Sequence, residues 1–297
     1  MVAEIVGSFL IERGIITKGQ MLILQKERQK VRACLGLVAV SAGYMASDEV
    51  KAIYEEINTD GVICDSTFAD TTVLYGYLTE GQIKSLAYKQ NDSYLCFVQA
   101  LEKLKIIDLE SLENILKEYP AINNEAQLAD LKSNDANRIL PLFIPPEAGA
   151  YINAACCAIR FLANKVGNNI CPKQAFLVSE FQASNGVFQF AKGCKEYAFA
   201  LVGRETEMAY VATCYMRERY DGINDEVLDI ISEIVNKISS SYGTELGQDG
   251  IVVDLMPPQT YLTMKKILAD EMLVLPLTIK NDTFYLLISI TNDIQIY

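Results

Sequence analysis

One pair of polar side chains in this sequence has a spacing that could serve chemistry. Glu233 and Asn236 stand three residues apart in the run Glu-Ile-Val-Asn. If that run is helical, both side chains lie on one face of the helix. A carboxamide can donate a hydrogen bond to a water molecule and also accept one from it. Polar residues on the outer face of an amphipathic helix are common, so the interest of the pair depends on its surroundings.

The absence of histidine limits the chemistry that the chain can perform. With no histidine among 297 residues, Ser-His-Asp and Cys-His catalysis are excluded, as is histidine-based general acid–base catalysis. A zinc site would need four thiolates or carboxylates, and the eight cysteines show no C-x-x-C spacing. We therefore expect reduced, mostly buried thiols in a cytoplasmic protein, with no metal and no cofactor of its own.

The net charge of −12 argues against two classes of partner. Nucleic-acid binding usually needs a basic surface, and an anionic membrane surface repels an acidic protein, so we expect neither nucleic acid nor membrane as a partner. No apolar run approaches the length needed to span a bilayer, and Glu4 and Glu12 interrupt any apolar core of a secretory signal. About half of the residues are apolar, which is enough for a full core, and the length favours two domains.

The polar pair lies in the longest amphipathic pattern of the second half. From Asp225 to about Leu246 apolar residues recur at helical spacing, and Asn224 precedes them in a position that suits the start of a helix. Another long helix is predicted over 147–166, after Pro145 and Pro146. A shorter helix is predicted over 205–219.

Short segments around these helices have the composition of strands. The predicted strands are 175–182, 187–190, 197–203, 251–255, 273–279 and 283–290. Ser184-Asn-Gly186 has the composition of a hairpin turn, which indicates that the first two strands pair with each other. Strands joined by tight turns favour an antiparallel sheet with the long helices packed on it.

The first half contains four copies of one pattern, and each copy is predicted to form a short helix, a tight turn and a second helix. The turn residues are Gly14, Gly43, Gly76 and Lys105, spaced 29, 33 and 29 residues apart. We expect each of them to end the first helix in the left-handed conformation. The residues expected to cap the second helices are Thr17, Ser47, Thr79 and Asp108. No copy could bury its apolar face alone, so the four should pack together.

The sequence therefore predicts an α+β protein with two domains. An all-helical repeat domain is expected over 1–120, and a polar linker with one helical turn over 121–138. The antiparallel sheet with its long helices is expected over 139–297.

Residues 140–291 resemble the CheC/CheX family of chemotaxis phosphatases. The resemblance rests on the order of the elements, on the helix that carries Glu-x-x-Asn, on Gly247, and on the strand Val252-Val-Asp-Leu-Met-Pro-Pro258 that follows. It implies that the protein dephosphorylates the aspartyl phosphate of a CheY-like receiver in chemotaxis signalling, with Mg²⁺ in the receiver's own site. The resemblance also implies a homodimer, and a homodimer is expected as well because the apolar strand Thr283–Ile290 would otherwise leave an open sheet edge.

The resemblance implies a role for each residue of the pair. Asn236 would hold water in line with the phosphorus, and Glu233 would contact the receiver's active-site lysine. Because hydrolysis of an aspartyl phosphate passes through a loose transition state, a positioned water matters more than a strong base. A second motif is not expected, since Ala150-Tyr-Ile-Asn153 lacks the glutamate, and this single site is the CheX arrangement. Lys237-Ile-Ser-Ser-Ser241 replaces a glycine-rich stretch of the family, which leaves open a module that docks a receiver without hydrolysing its phosphate.

The helical repeats resemble the MshEN-type N-terminal domain of type II secretion and type IV pilus ATPases. Some members of that family bind cyclic-di-GMP through Arg-Leu-Gly at the start of two successive repeats. Here the second repeat has Arg32-Ala-Cys-Leu-Gly36, the first has Ile5-Val-Gly7 and the third has Phe68-Ala-Asp70. The arginine is out of register and Asp70 would repel phosphate, so cyclic-di-GMP is a disfavoured ligand. The remaining alternative for this half is an adaptor that docks on a motility or secretion machine.

Overall fold

The computed structural model describes residues 1–57, 64–167, 170–279, 282–291 and 294–297. The chain forms two compact units, Val2–Asn134 and Asp135–Tyr297. Among the described residues the first unit is helical, and the second carries an antiparallel sheet with helices packed on it. The predicted α+β fold, with helices first and the sheet after them, is confirmed. Within those same ranges no helix combines the length and the apolar character needed to cross a bilayer.

The first unit is built from helices joined in pairs. Its helices in the described ranges are α1 Val2–Glu12, α2 Lys18–Arg28, α3 Leu35–Ser41, α4 Ser47–Ile57, α5 Asp65–Leu74, α6 Glu80–Lys89, α7 Ser93–Lys103, α8 Leu109–Leu116 and α9 Glu125–Lys132. The pairs α1/α2, α3/α4, α5/α6 and α7/α8 are the four predicted repeats. Helix α9 falls in the segment predicted as a linker and buries Leu128 and Leu131.

The turn inside each repeat is built around a residue with a left-handed backbone. The φ angles of these residues are 69° at Gly14, 69° at Gly43, 76° at Gly76 and 54° at Lys105. The prediction for all four turns is therefore confirmed. Glycine adopts this conformation without steric cost, whereas a lysine in it is strained by its Cβ atom.

The caps of the second helices follow the prediction in three repeats. Thr17 and Thr79 each accept a hydrogen bond from the backbone N–H three residues later, and the side chain of the glutamine at that position accepts one from the backbone N–H of the threonine. The carboxylate of Asp108 caps α8 by accepting from the backbone N–H of Ser111. In the second repeat Ser47 is instead the first residue of α4, and the Glu49 carboxylate accepts from the backbone N–H of Ala46 at 2.7 Å.

The second unit begins with short helical turns and continues with long helices and the sheet. Its helices are α10 Ala136–Ile139, two 3₁₀ turns at Leu140–Phe143 and Pro146–Tyr151, α11 Ile152–Lys165, α12 Glu205–Met216 and α13 Asp225–Gln248. Its strands are β1 Ile170–Pro172, β2 Phe176–Ala183, β3 Asn185–Gly193, β4 Tyr197–Gly203, β5 Val253–Leu255, β6 Gln259–Tyr261, β7 Lys265–Ile279, β8 Asp282–Ser289 and β9 Gln295–Ile296. The predicted long helices correspond to α11 and α13.

The strands form one curled antiparallel sheet in the order β1-β7-β8-β4-β3-β5, with β2 and β9 also paired to β7 and β6 paired to β3. Helices α12 and α13 pack on one face of this sheet. Its other face forms a second apolar core among the strands themselves. The core includes Phe188, Phe190, Val202, Ile267, Met272, Val274 and Leu287. The sheet is thus buried on both faces where α13 crosses it.

Two predictions about the strands are wrong. The turn at Ser184 does not form a hairpin, because β2 pairs with β7 while β3 pairs with β4. The Ser184 hydroxyl and the Asn185 carboxamide both donate to the carbonyl of Gly203, and this ties the start of β3 to the end of β4. The predicted edge strand 283–290 is β8, and it lies inside the sheet between β7 and β4.

The position of β8 removes the structural reason given for a homodimer, which now stays a prediction implied by the family resemblance alone. If the resemblance extends to assembly, light scattering at micromolar concentration gives about twice the chain mass of 33.0 kDa. A particle of 33.0 kDa would contradict it.

The left-handed turns predict opposite effects of small substitutions. Lys105→Gly should raise the free energy of unfolding by about 1 kcal/mol, because glycine relieves the strain at φ 54°. Gly76→Ala should lower it by about 1–2 kcal/mol. The matched control is Gly81→Ala in the first turn of α6, where nothing lies closer to an added Cβ than the Thr79 hydroxyl at 4.0 Å. It should stabilise, because alanine favours helix. Equal denaturant midpoints for the two alanine variants would refute this account of the turns.

Candidate functional site

Helix α13 presents one side to the sheet and the other to solvent. Its buried side chains recur at helical spacing and include Val227, Ile231, Ile234, Val235 and Ile238. They pack on β3 and β4, and α11 and α12 flank the helix. Asn224 caps α13, since its carboxamide oxygen accepts from the backbone N–H of Val227 at 2.8 Å. The apolar stripe therefore determines which residues face outward.

Glu233 and Asn236 both lie on the outward side of α13, as the sequence predicts. Glu233 is exposed and Asn236 is half-buried. Lys237 is exposed next to Asn236, and Ser240 follows one turn later. This surface, formed by Glu233, Asn236, Lys237 and Ser240, is called the α13 face below.

Glu233 is oriented by the hydroxyl of Tyr215 from α12. That hydroxyl donates to Oε1 of Glu233 at 3.1 Å. The ring of Tyr215 lies against Phe161 of α11, with the ring centroids 6.5 Å apart. Burial raises the pKa of Tyr215, and the hydrogen bond to the carboxylate raises this pKa further. Tyr215 is therefore a neutral donor at physiological pH, and the carboxylate of Glu233 is held at the outer surface.

The carboxamide of Asn236 has a partner at each end. Its Nδ2 donates to Oε1 of Gln189 on β3 at 3.4 Å. Its Oδ1 accepts from the hydroxyl of Ser240 at 3.4 Å. Each contact uses one of the two N–H groups and one of the two oxygen lone pairs. One donor and one acceptor are left, which is the set that a single water molecule needs in order to be oriented.

Two side chains from other elements complete the site and are not predicted from the sequence. Gln189 and Tyr215 come from β3 and α12, so no spacing along the chain links them to Glu233 or Asn236. A signal for Gln189 was present, because it is a polar residue within the apolar strand segment Val187–Phe190. Tyr215 offered no comparable signal.

The position matching a second motif has a different environment. Ala150 lies in a 3₁₀ turn, and Asn153 is exposed in the first turn of α11. Tyr151 between them is buried, and its hydroxyl donates to the carbonyl oxygen of Glu271 at 3.3 Å. Within the described ranges no three acidic or cysteine side chains are grouped so that they could hold a metal ion. None of the eight cysteines forms a disulfide, and four of the eight are buried.

The start of α3, which carries the Leu35-Gly36 pair that resembles part of the Arg-Leu-Gly motif, is occupied by side chains of the first unit itself. The backbone N–H of Leu35 donates to the Asp65 carboxylate at 2.9 Å, and that of Gly36 donates to the Tyr54 hydroxyl at 3.0 Å. A Cβ on Gly36 would meet the Tyr54 side chain at 2.5 Å, so no open space remains there. Arg32 donates instead to the carbonyl of Ala87 at 3.3 Å. A carboxylate of the chain itself thus already bonds the backbone N–H of Leu35.

In the second unit, a curled antiparallel sheet supports a long helix that carries the Glu-x-x-Asn pair. No protein-family model matches the chain, and no curated protein matches it either. Several solved structures are similar to it. The chemotaxis protein CheX from Vibrio vulnificus has 15% identity and a TM-score of 0.41, with 46% of this chain and 95% of that chain covered.

Two further solved structures are similar at comparable levels. A CheC-like superfamily protein from Shewanella has 16% identity and a TM-score of 0.40, with 46% of this chain and 96% of that chain covered. The CheX–CheY–BeF₃–Mg²⁺ complex from Borrelia burgdorferi has 20% identity and a TM-score of 0.37, with 48% and 95% covered. Similarities at this level do not assign a function to the chain, which has to be argued from the site.

The occupied start of α3 predicts that the full chain does not bind cyclic-di-GMP. An anionic dinucleotide would have to displace Asp65 and Tyr54 and would gain no arginine in register. Calorimetry with the purified protein should therefore show no binding at micromolar nucleotide. A low-micromolar affinity that Arg32→Ala weakens would overturn this prediction and would make the first unit a nucleotide sensor.

Proposed function

We propose that the second unit is a phosphatase that hydrolyses the aspartyl phosphate of a CheY-like receiver protein in chemotaxis signalling. The observation that supports this most is the α13 face, where Glu233 is exposed and the half-buried Asn236 lies one helical turn away on the same helix. Asn236 is held at both ends of its carboxamide and keeps one donor and one acceptor for a water molecule. The sequence resemblance to the CheC/CheX family points to the same two residues.

The proposed mechanism needs no strong base on this chain. A water molecule that donates to Oδ1 of Asn236 and accepts from the remaining N–H is held in line with the phosphorus of the receiver's phosphoaspartate. As the water oxygen bonds to phosphorus, the bond from phosphorus to the aspartyl oxygen breaks, and inorganic phosphate and the free carboxylate result. Mg²⁺ in the receiver's own site would neutralise charge on the phosphoryl oxygens. Because the transition state is loose, the water loses its proton late, to an oxygen of the phosphate that is being formed.

Glu233 has the features of a docking residue in this proposal. Its carboxylate is exposed, and one oxygen is fixed by Tyr215 while the other has no hydrogen-bond partner among the described residues. The receiver's active-site lysine is a suitable partner, because a hydrogen bond between two charged groups contributes about 1.5–3 kcal/mol. That contact would bring the phosphoaspartate next to Asn236, one helical turn away.

One observation favours a second candidate function, a module that docks a receiver without hydrolysing its phosphate. Lys237 is exposed and follows Asn236 directly on α13. A cation at this place could bind the phosphoryl group and hold it, which would stabilise the phosphorylated receiver rather than shorten its lifetime. The two functions predict opposite effects on the rate of phosphate loss.

Substitutions on the α13 face distinguish catalysis from docking. Asn236→Ala should lower kcat for receiver dephosphorylation about 10²-fold, the usual loss when one positioned polar group is removed. Glu233→Ala should act mainly on kcat/KM, because it removes a docking contact. Phosphate release from a phosphorylated receiver measures both.

Thr244→Ala is the matched control, since Thr244 is exposed two turns further along α13 and its hydroxyl donates to the backbone carbonyl of Ser240. It should keep the wild-type rate. An unchanged rate for Asn236→Ala would rule out Asn236 as the residue that orients water.

A further inference from the structure

A wholly buried carboxamide lies beneath the α13 face. Gln189 is in the middle of β3 and is 0% exposed. The residues on either side of it, Phe188 and Phe190, belong to the apolar core on the opposite face of the sheet. A carboxamide enclosed in this way is unfavourable unless its groups are hydrogen-bonded. The positions of its hydrogen-bond partners therefore determine how the carboxamide is oriented.

The hydrogen bonds of Gln189 allow only one orientation of its carboxamide. Its Nε2 donates to the backbone carbonyl of Met256. Because a carbonyl can only accept, the amide nitrogen must face Met256 and the oxygen must face the other way, toward α13. There the oxygen accepts from Nδ2 of Asn236 at 3.4 Å. No other partner of Oε1 is found in the described part of the chain.

The orientation of Gln189 in turn fixes the orientation of the Asn236 carboxamide. Because Oε1 of Gln189 can only accept, Asn236 must turn its nitrogen toward the sheet and its oxygen away from it. The oxygen then faces Ser240, whose hydroxyl donates to it at 3.4 Å. If the carboxamide of Asn236 were flipped, two oxygens would face each other and the buried Oε1 would lose its donor.

We propose that Gln189 is a positioning residue that selects the orientation in which Asn236 holds the attacking water. This inference rests on the proposed function of the α13 face and adds the group that fixes its geometry. The carbonyl of Met256 sets the orientation of Gln189, Gln189 sets that of Asn236, and Asn236 presents Oδ1 and its second N–H outward. Without Gln189 the carboxamide of Asn236 populates both orientations, and only one of them suits the water.

The variant that tests this is Gln189→Met, which keeps the length of the side chain and removes both hydrogen bonds. Its matched control is Asn185→Leu, which removes another buried carboxamide from β3. Asn185 donates to the carbonyl of Gly203 at 3.2 Å and lies about 13 Å along the strand from Gln189. Both variants lose buried hydrogen bonds and should be less stable, so a merely structural effect appears in both.

Kinetics with a phosphorylated receiver separates the two roles. We expect Gln189→Met to lower kcat about tenfold with KM unchanged, and Asn185→Leu to leave both unchanged. In an Asn236→Ala background, Gln189→Met should cause no further loss, because it acts only through Asn236. A further tenfold loss in that background would overturn the proposal, and so would equal effects of Gln189→Met and Asn185→Leu.

A second readout does not depend on activity. In ¹⁵N-labelled full-length protein the side-chain NH₂ signals of Asn236, assigned by their loss in Asn236→Ala, should move in Gln189→Met and stay in place in Asn185→Leu. Signals that Gln189→Met does not move would overturn the positioning role even if the enzyme is active. Signals that do move in a protein without phosphatase activity would refute the proposed function and leave the contact established.

If Gln189→Met does not fold, Gln189→Asn replaces it, since the asparagine side chain is one methylene too short to reach both partners.

Discussion

The packing of the apolar stripe of α13 against β3 and β4 is the contact on which the candidate site depends. Burial of that stripe fixes the rotation of the helix about its own axis, because a turn of 3.6 residues leaves only one side for the polar residues. Glu233 is then exposed, and Asn236 lies at the border of the buried stripe, next to β3. The sheet beneath is held from its other face by a second apolar core, so α13 lies on a support that is packed on both sides.

Rigid support matters for this chemistry because the proposed mechanism relies on position more than on reactivity. A carboxamide is neither a strong base nor a nucleophile, and its value lies in holding a water molecule at one angle. The hydrogen bonds that run from Met256 through Gln189 to Asn236 give that carboxamide a defined orientation without exposing the groups that define it. Tyr215 does the same for Glu233 from the neighbouring helix.

Features that depend on residues close together in the sequence could be predicted, and features that depend on distant segments could not. The left-handed turns at Gly14 and Lys105 and the boundaries of α13 depend on residues within one or two helical turns, and they were predicted correctly. The partners of β2 and the interior place of β8 depend on pairing between distant segments, which strand composition does not specify, and both predictions were wrong. Glu233 and Asn236 share a local pattern and were found. Gln189 and Tyr215 approach them only through the tertiary fold and were missed.

The most direct measurement is the time course of phosphate release from a phosphorylated CheY-like receiver with and without the full chain. If the α13 face orients the attacking water, the chain at saturating concentration should speed release by at least about 10²-fold. A receiver that binds the chain and loses phosphate no faster than it does alone would contradict the central claim, and slower loss would favour a docking module that protects the phosphoryl group.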